Sequence, residues 1–152
     1  MTPRRSNRLE MLVRLRQQRE SRARWSFDQV RGRAEFLRRR IDELGALLRA
    51  QDASARKRLL EGGPGRPGRA YRHSAAELRD AIREQRALLS QVHEMLPACR
   101  EKLREAVSRR KAAEALRERL LREQAARQQR TEAAQVDDSH AVRALAARRA
   151  GG

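Results

Sequence analysis

Residues 61–69 read Glu-Gly-Gly-Pro-Gly-Arg-Pro-Gly-Arg and divide the sequence into two parts. The stretch holds four of the eight glycines and two of the four prolines of the chain. Glycine adopts the positive φ values that a chain reversal needs, and proline cannot continue a helix. A phosphate-binding loop is the alternative, but no apolar strand precedes the stretch and no Gly-Lys-Ser/Thr ends it. We therefore predict a hinge loop over residues 61–73.

Before the hinge, apolar residues recur at alternating steps of three and four, which predicts one helix over residues 6–60 with Ser6 or Asn7 as its N-cap. The positions are Leu9, Val13, Ala23, Phe27, Val30, Ala34, Leu37, Ile41, Leu44, Leu48, Ala55 and Leu59. Two positions of the same seam hold Arg16 and Glu20. Polar residues at such positions weaken packing but fix the register of the two helices.

Four residues of the first helix lie outside this pattern. Trp25 and Phe36 do not belong to the seam, so they are either part of a partner surface or ordinary surface contacts. Gly32 is unfavourable inside a helix and is compatible with the close approach of another backbone, although nothing in the sequence requires one, and the same holds for Gly45.

After the hinge, Ser74-Ala-Ala-Glu77 has the pattern of a capping box and predicts the start of a second helix over residues 74–136. Its seam consists of Leu78, Ile82, Gln85, Leu89, Val92, Leu96, Cys99, Leu103 and Ala106. The seam has the same phase before and after Pro97, so we expect one helix that is kinked near this residue. Residues 137–152 are predicted as a tail, in which Asp138 could cap a short extra helix.

Two helices joined by one hinge predict an all-α fold, an antiparallel coiled-coil hairpin in a single domain over residues 1–152. Folding the chain about residue 67 brings Ile41 near Val92 or His93, and Glu20 beside Arg110 or Arg117. The second helix is the longer one, so the residues after Ala126 form a helical C-terminal overhang.

Composition limits the function classes. Hydrophobic residues make up 39% of the chain and charged residues 38%, which suits a narrow seam better than a broad core. No apolar run is long enough to span a membrane, no signal peptide is recognised, and the single Cys99 suits a reducing cytoplasm. The three histidines are scattered, and no catalytic set, metal site or cofactor site can be assembled on two helices. We expect no enzyme activity, no cofactor and no small-molecule substrate.

The formal net charge of +17 leaves two interpretations open. All but three of the 37 basic residues are arginines. Arginine binds phosphate well, which favours nucleic acid, but it is also a good helix former that suits any solvated position. Acidic residues are interspersed throughout and stacking aromatic residues are few, so nucleic acid is the weaker interpretation.

The last third of the chain carries a family resemblance. Residues 110–121 read Arg-Lys-Ala-Ala-Glu-Ala-Leu-Arg-Glu-Arg-Leu-Leu, and an Arg/Glu/Gln-rich stretch over residues 123–132 precedes Val136-Asp-Asp138. Together with Arg8-Leu-Glu-Met-Leu-Val-Arg-Leu-Arg16, these stretches resemble the FliJ/YscO family. The high arginine content, Pro97 and the Gly/Pro-rich hinge depart from the family pattern.

The resemblance implies a non-enzymatic stalk and escort protein of the flagellar or a related type III export apparatus. Such a protein promotes assembly of the export ATPase hexamer, contacts the export gate in the membrane and escorts export chaperones. It is expected in the cytoplasm, peripherally associated with the inner membrane. The implied ATPase-binding residues are Arg14, Arg16, Arg19, Glu20, Leu116, Arg119, Leu120 and Arg127. The implied gate-binding residues are Leu44, Leu48, Tyr71 and Leu78.

Two other functions remain open on the sequence. One is a basic coiled-coil protein that binds nucleic acid, for which the arginine-rich first 26 residues speak. The other is a structural subunit of a larger helical bundle, in which the seam packs against other chains.

Overall fold

The structure, a computed structural model, describes residues 3–62 and 68–151, which form two long helices that pack against each other without a strand in the described part. Helix α1 spans Pro3–Leu60 and helix α2 spans Arg69–Ala150. The predicted all-α helical hairpin is therefore confirmed. The centre of the predicted hinge, residues 63–67, lies outside the described residues.

Helix α1 begins earlier than predicted. Its first residue is Pro3, so Ser6 and Asn7 lie inside the helix and the predicted start at residue 6 is wrong. Proline is favoured at the first helical position because its fixed φ suits the helix and its missing N–H would have no acceptor there. The predicted end at residue 60 agrees with the structure.

The C-terminus of α1 is closed by a left-handed glycine. The Glu61 N–H donates to the Lys57 carbonyl over 3.1 Å, and the Gly62 N–H donates to the Leu59 carbonyl over 3.4 Å. Gly62 has a φ of 85°, which is the conformation that ends many helices and that a Cβ atom disfavours.

Helix α2 also begins before the predicted capping box. The Arg72 N–H donates to the Gly68 carbonyl over 3.1 Å, so the helix starts directly after Gly68 and residues 69–73 are not loop. Ser74 lies within the helix, where its Oγ accepts a hydrogen bond of 2.8 Å from Gln51 Nε2 of α1. The capping-box prediction is wrong because Ser74 bonds across the helix pair instead of capping its own helix.

The C-terminal boundary differs as well. Helix α2 continues to Ala150, so the predicted end at residue 136 and the separate short helix capped by Asp138 are wrong. No glycine or proline occurs between Pro97 and Gly151, and the alanine-rich end favours helix. The Ser139 hydroxyl donates to the Gln135 carbonyl over 2.9 Å inside the helix. Helix α2 runs through Pro97 without a break, and the bend there stays a prediction.

The described chain divides into two compact units, which we call the hinge unit (residues 21–62 and 68–105) and the terminal unit (residues 3–20 and 106–151). In the hinge unit, α1 and α2 run antiparallel, because Arg38 bonds to His93 and Asp52 bonds to Tyr71. The buried apolar residues of this unit are Ala34, Leu37, Leu44, Ala75, Ile82 and Val92.

The register of the hinge unit differs from the prediction by about one helical turn. Val92 packs in a cluster with Ala34 and Leu37, not with Ile41, the predicted partner. The cause lies in the helix boundaries. Because α2 begins at Arg69 and not at Ser74, residues of α2 lie opposite earlier residues of α1 than predicted.

The terminal unit has a smaller apolar core and more polar contacts between its helices. Its buried apolar residues are Leu9, Val13 and Ala113. Glu20 contacts Arg110, which confirms one of its two predicted partners, and Glu10 forms an ion pair of 3.5 Å with Arg117. These pairs again run antiparallel.

The final stretch of α2 has no covering helix. Every residue from 121 to 151 is exposed, and we call this stretch the C-terminal extension. At 1.5 Å per residue it is about 45 Å long. Glu10 already lies level with Arg117, so the extension begins about five residues earlier than the predicted Ala126.

The left-handed Gly62 generates a first prediction. Replacing Gly62 by Ala should lower the free energy of unfolding by about 1 kcal/mol, because a Cβ atom is strained at positive φ. Gly68→Ala is the matched control, since Gly68 has no such φ and a Cβ atom there meets nothing within 4 Å. Urea unfolding of both variants gives the comparison. Equal stabilities of the two variants would contradict the assignment of Gly62 as the cap.

Candidate functional site

The predicted ATPase-binding residues all lie in the terminal unit, but they do not share one environment. Five of the eight are exposed: Arg14, Arg19, Leu116, Arg119 and Arg127. Arg16 and Leu120 are half-buried, and Glu20 is buried with 7% of its surface exposed. Exposed arginines therefore form most of the surface that this set offers to a partner.

Glu20 belongs to a cluster of charged residues between the helices, which we call the charge cluster. The Glu20 carboxylate accepts a hydrogen bond from Arg110 Nε. Arg110 Nη1 donates to Glu114 Oε2 over 2.7 Å, and Gln17 Nε2 donates to Glu114 Oε1 over 3.4 Å. The cluster thus joins two residues of α1 to two residues of α2.

Arg110 is the cation at the centre of the charge cluster. The hydrogen bond to the Glu20 carboxylate raises the pKa of Arg110 above its ordinary value, and the nearby charge of Glu114 acts in the same direction. Charged hydrogen bonds of this kind are stronger than neutral ones and depend on orientation. Glu20 is therefore a residue that fixes the position of the two helices, and its buried carboxylate is not part of the exposed surface.

The predicted gate-binding residues lie in the hinge unit, and their exposure is low. Leu44 is buried, with 6% of its surface exposed, while Leu48, Tyr71 and Leu78 are half-buried. Leu44, Leu48 and Leu78 belong to the apolar seam, and a seam faces the second helix rather than solvent. The structure therefore leaves little of this set for a partner.

A groove beside Tyr71 offers an apolar surface that the sequence analysis missed. It has a volume of about 750 Å³, and its lining includes Leu47, Leu59, Gln51 and Tyr71. Leu47 is 54% exposed, although its neighbour Leu48 is half-buried. The signal in the sequence was the pair Leu47-Leu48, because only one of two adjacent leucines can face the seam of a helix.

One wall of the groove carries a polar group without a partner. Gln51 Oε1 is buried and accepts no hydrogen bond from a described residue, although Gln51 Nε2 bonds to Ser74. A buried acceptor without a donor is unfavourable.

Tyr71 is held in place by an acid of the other helix. Its hydroxyl donates to the Asp52 carboxylate, and this hydrogen bond raises the pKa of Tyr71 above its ordinary 10.0. The interaction therefore requires the neutral phenol. It orients the ring at the edge of the groove.

The histidines do not form a site with one another. His93 Nε2 lies 2.9 Å from Arg38 Nη2, and His73 Nε2 lies 3.0 Å from Glu77 in the same helix. Among the described residues, no group of three or more His, Cys, Asp or Glu side chains could hold a metal ion. Nor does either helix, where described, contain an apolar segment able to cross a membrane.

The charge cluster generates a second prediction. Glu20→Ala should lower the midpoint of thermal unfolding by about 5 °C, because it leaves half-buried Arg110 without one of its carboxylate partners. Glu35→Ala removes the same charge from an exposed pair with Arg31 inside the packed hairpin and should change the midpoint by about 1 °C. Circular dichroism at 222 nm measures both. If the two variants unfolded at the same temperature, the charge cluster would have no special role in stability.

The Tyr71–Asp52 contact generates a third prediction, which uses the single tyrosine of the chain. Asp52→Asn should lower the pH at which tyrosinate absorbance appears, because it removes the negative charge that opposes ionisation of Tyr71. The raised pKa also means that the contact stabilises the fold below pH 10 and that this stabilisation is lost as the pH rises through the raised pKa.

Asp80→Asn is the control for this titration. Asp80 pairs with Arg83 over 2.8 Å in the same unit, so its replacement changes the net charge equally without touching Tyr71. If tyrosinate absorbance appeared at the same pH in Asp52→Asn and in Asp80→Asn, the Tyr71–Asp52 contact would be contradicted.

Comparison with known proteins gives one match. A family model described as "Flagellar FliJ protein" matches residues 5–150, which covers both helices and both units. No curated protein and no solved structure matches the chain. Because the family match extends over nearly the whole sequence, the chain belongs to the FliJ family, whose members are flagellar proteins related to protein export.

Proposed function

We propose that this protein is the non-enzymatic stalk of a flagellar protein export apparatus, and that its terminal unit binds the export ATPase and promotes assembly of the ATPase ring. The observation that carries the proposal is the C-terminal extension, 30 residues of uncovered helix (121–150) that follow directly on the packed part of the terminal unit. A helix that its own chain does not cover is available to another protein.

The charges of the terminal unit support an acidic partner. Arg14 and Arg19 of α1 and Arg127 of α2 are exposed there, and Arg119 is exposed next to Glu123. Complementary charge across an interface speeds association and fixes the register in which partners dock. We infer that the ATPase surface facing this unit is acidic.

The hinge unit is the proposed contact for the export gate. The groove beside Tyr71 offers an apolar surface, which suits a peptide segment that supplies an apolar side chain. The proposal moves the gate contact from buried Leu44 to exposed Leu47 and Leu59, and it keeps Tyr71. Escort of export chaperones and peripheral association with the inner membrane from the cytoplasm belong to the same proposal.

The fourth prediction tests the stalk function with the purified export ATPase of the same organism. Adding this protein should raise the rate of ATP hydrolysis and the fraction of hexamer in sedimentation. Replacing four exposed arginines of the terminal unit by glutamine should weaken both effects, with about tenfold more protein needed for half of the stimulation. The replaced residues are Arg14, Arg19, Arg119 and Arg127.

A control variant separates the position of the charges from their number. It carries the same change at four exposed arginines of the hinge unit, and it should stimulate the ATPase like the unaltered protein. Its replaced residues are Arg49, Arg79, Arg86 and Arg104. Equal loss in both variants would mean that net charge alone matters. If the unaltered protein had no effect on the enzyme, the stalk proposal would be wrong, and DNA binding with a steep salt dependence would then support the nucleic-acid alternative.

A further inference from the structure

One side of α1 carries two large aromatic side chains, Trp25 and Phe36, that are uncovered. Trp25 is 65% exposed and Phe36 is 61% exposed. They are eleven residues apart, which is close to three turns of helix, so their side chains lie almost in line along one face. Ala34, which is buried in the seam, follows Trp25 by nine residues and thus lies on the opposite side of the helix. The two aromatic residues are therefore not part of the contact with α2.

Gly32 lies on the same line, four residues before Phe36. Glycine destabilises the interior of a helix, so a glycine at this position needs a structural explanation. The hairpin gives none, because a Cβ atom on Gly32 would meet no atom within 4 Å. At Gly45, by contrast, a Cβ atom would lie 3.5 Å from the Arg49 side chain. The missing side chain at Gly32 leaves a notch between two exposed aromatic rings, and we call this surface of Trp25, Gly32 and Phe36 the aromatic notch.

One edge of the aromatic notch is basic. Arg22, Arg33 and Arg40 lie along it at helical spacing, and all three are exposed. Arg22 and Arg33 form no ion pair with a described residue, while Arg40 contacts Glu43 over 3.4 Å. The other edge is mixed and carries Asp28 and Arg39.

The charge of the chain indicates what kind of molecule fits this surface. A second copy would bring another +17 charge to a basic edge, and like charges oppose such an association. An acidic partner would instead satisfy Arg22 and Arg33. Large apolar side chains on either side of a glycine suit a helix, whose backbone can approach closely at the notch while its apolar side chains pack on the rings.

We propose that the aromatic notch binds an amphipathic α-helix of another protein, with an apolar stripe toward Trp25 and Phe36 and acidic residues along the edge that faces Arg22 and Arg33. The contact from Trp25 to Phe36 is about 16 Å long, so it needs three turns of the partner helix. None of its residues is among those proposed above to bind the ATPase or the gate, so it can be tested with the purified chain alone.

Trp25 is the only tryptophan of the protein and reports directly on this surface. The probe is a synthetic 24-residue amphipathic helix with leucines on one face and glutamates beside them. A second peptide of equal length carries lysines in place of the glutamates. We expect the acidic peptide to shift the Trp25 emission to shorter wavelength and to protect it from acrylamide quenching, whereas the basic peptide should do neither.

Gly32→Leu distinguishes a notch from a merely apolar surface. If the partner backbone enters the notch, this variant should bind the acidic peptide at least tenfold more weakly. If the surface only attracts apolar groups, the added leucine should leave binding unchanged or strengthen it, which would overturn the proposal. Gly45→Ala is the control and should bind normally. Gly32→Ala and Gly45→Ala should both raise the midpoint of thermal unfolding by a few degrees. A lower midpoint in any of these variants would reveal a folding defect.

Two further outcomes would also overturn the proposal. Equal binding of the basic and acidic peptides would show that charge complementarity plays no part. Sedimentation of the unaltered chain as a dimer that Gly32→Leu dissociates would show that the occupant is a second copy.

Discussion

Two antiparallel helices that share one seam can cover each other only along the length of the shorter one. Helix α1 has 58 residues and α2 has 82, so part of α2 must remain without a partner in the chain itself. This constraint determines most of the structure. The buried apolar residues lie where both helices are present, and residues 121–151 are all exposed. The surfaces that we propose for partners follow from what the seam leaves uncovered.

The seam itself is apolar in the hinge unit and mixed in the terminal unit. In the hinge unit, Ala34, Leu37 and Val92 form an apolar contact between the helices. In the terminal unit, buried Glu20 and its partner Arg110 lie between the helices instead. Ion pairs within one helix accompany both units, among them Arg122 with Glu118 and Arg83 with Asp80. Such exposed pairs contribute a few tenths of a kcal/mol each and mainly favour the helical state. Specific alignment of the helices thus depends on the few polar groups that are buried.

Much of this fold could be predicted from the sequence, because apolar periodicity reports directly on which face of a helix is covered. The pairing of Glu20 with Arg110 followed from the same periodicity. The helix ends could not be obtained in this way. Ser74 has the same side chain whether it caps a helix or bonds to Gln51 across the pair, and only the start of α2 at Arg69 decides between the two. That five-residue error moved the predicted register by one turn.

The candidate site was predictable to a smaller extent. Periodicity separated Trp25 and Phe36 from the seam, and both are exposed. It also placed Leu44 on the covered face, where Leu44 is buried, whereas the partner role of Leu44 was implied only by the family resemblance. Leu47 lies outside the seam, but periodicity alone does not show that an exposed leucine lines a groove. A seam pattern shows where a helix is covered, but the covering group can be the second helix or another protein, and the spacing of residues is the same in both cases. The outcome depends on which part of each helix meets the other.

The C-terminal extension has a further consequence for how the molecule folds. Helix formation is limited by nucleation, and here the packed part of α2 already supplies a formed turn from which the extension can propagate. Its residues make only local interactions, such as Gln128 with Glu132, so its helix–coil equilibrium is separate from the cooperative unfolding of the hairpin. The end of α2 therefore melts gradually, from Ala150 inward, while the seam stays intact. A protein that binds this end binds only the molecules in which it is helical. Its apparent affinity for the chain therefore falls as warming shortens the helical part of the extension.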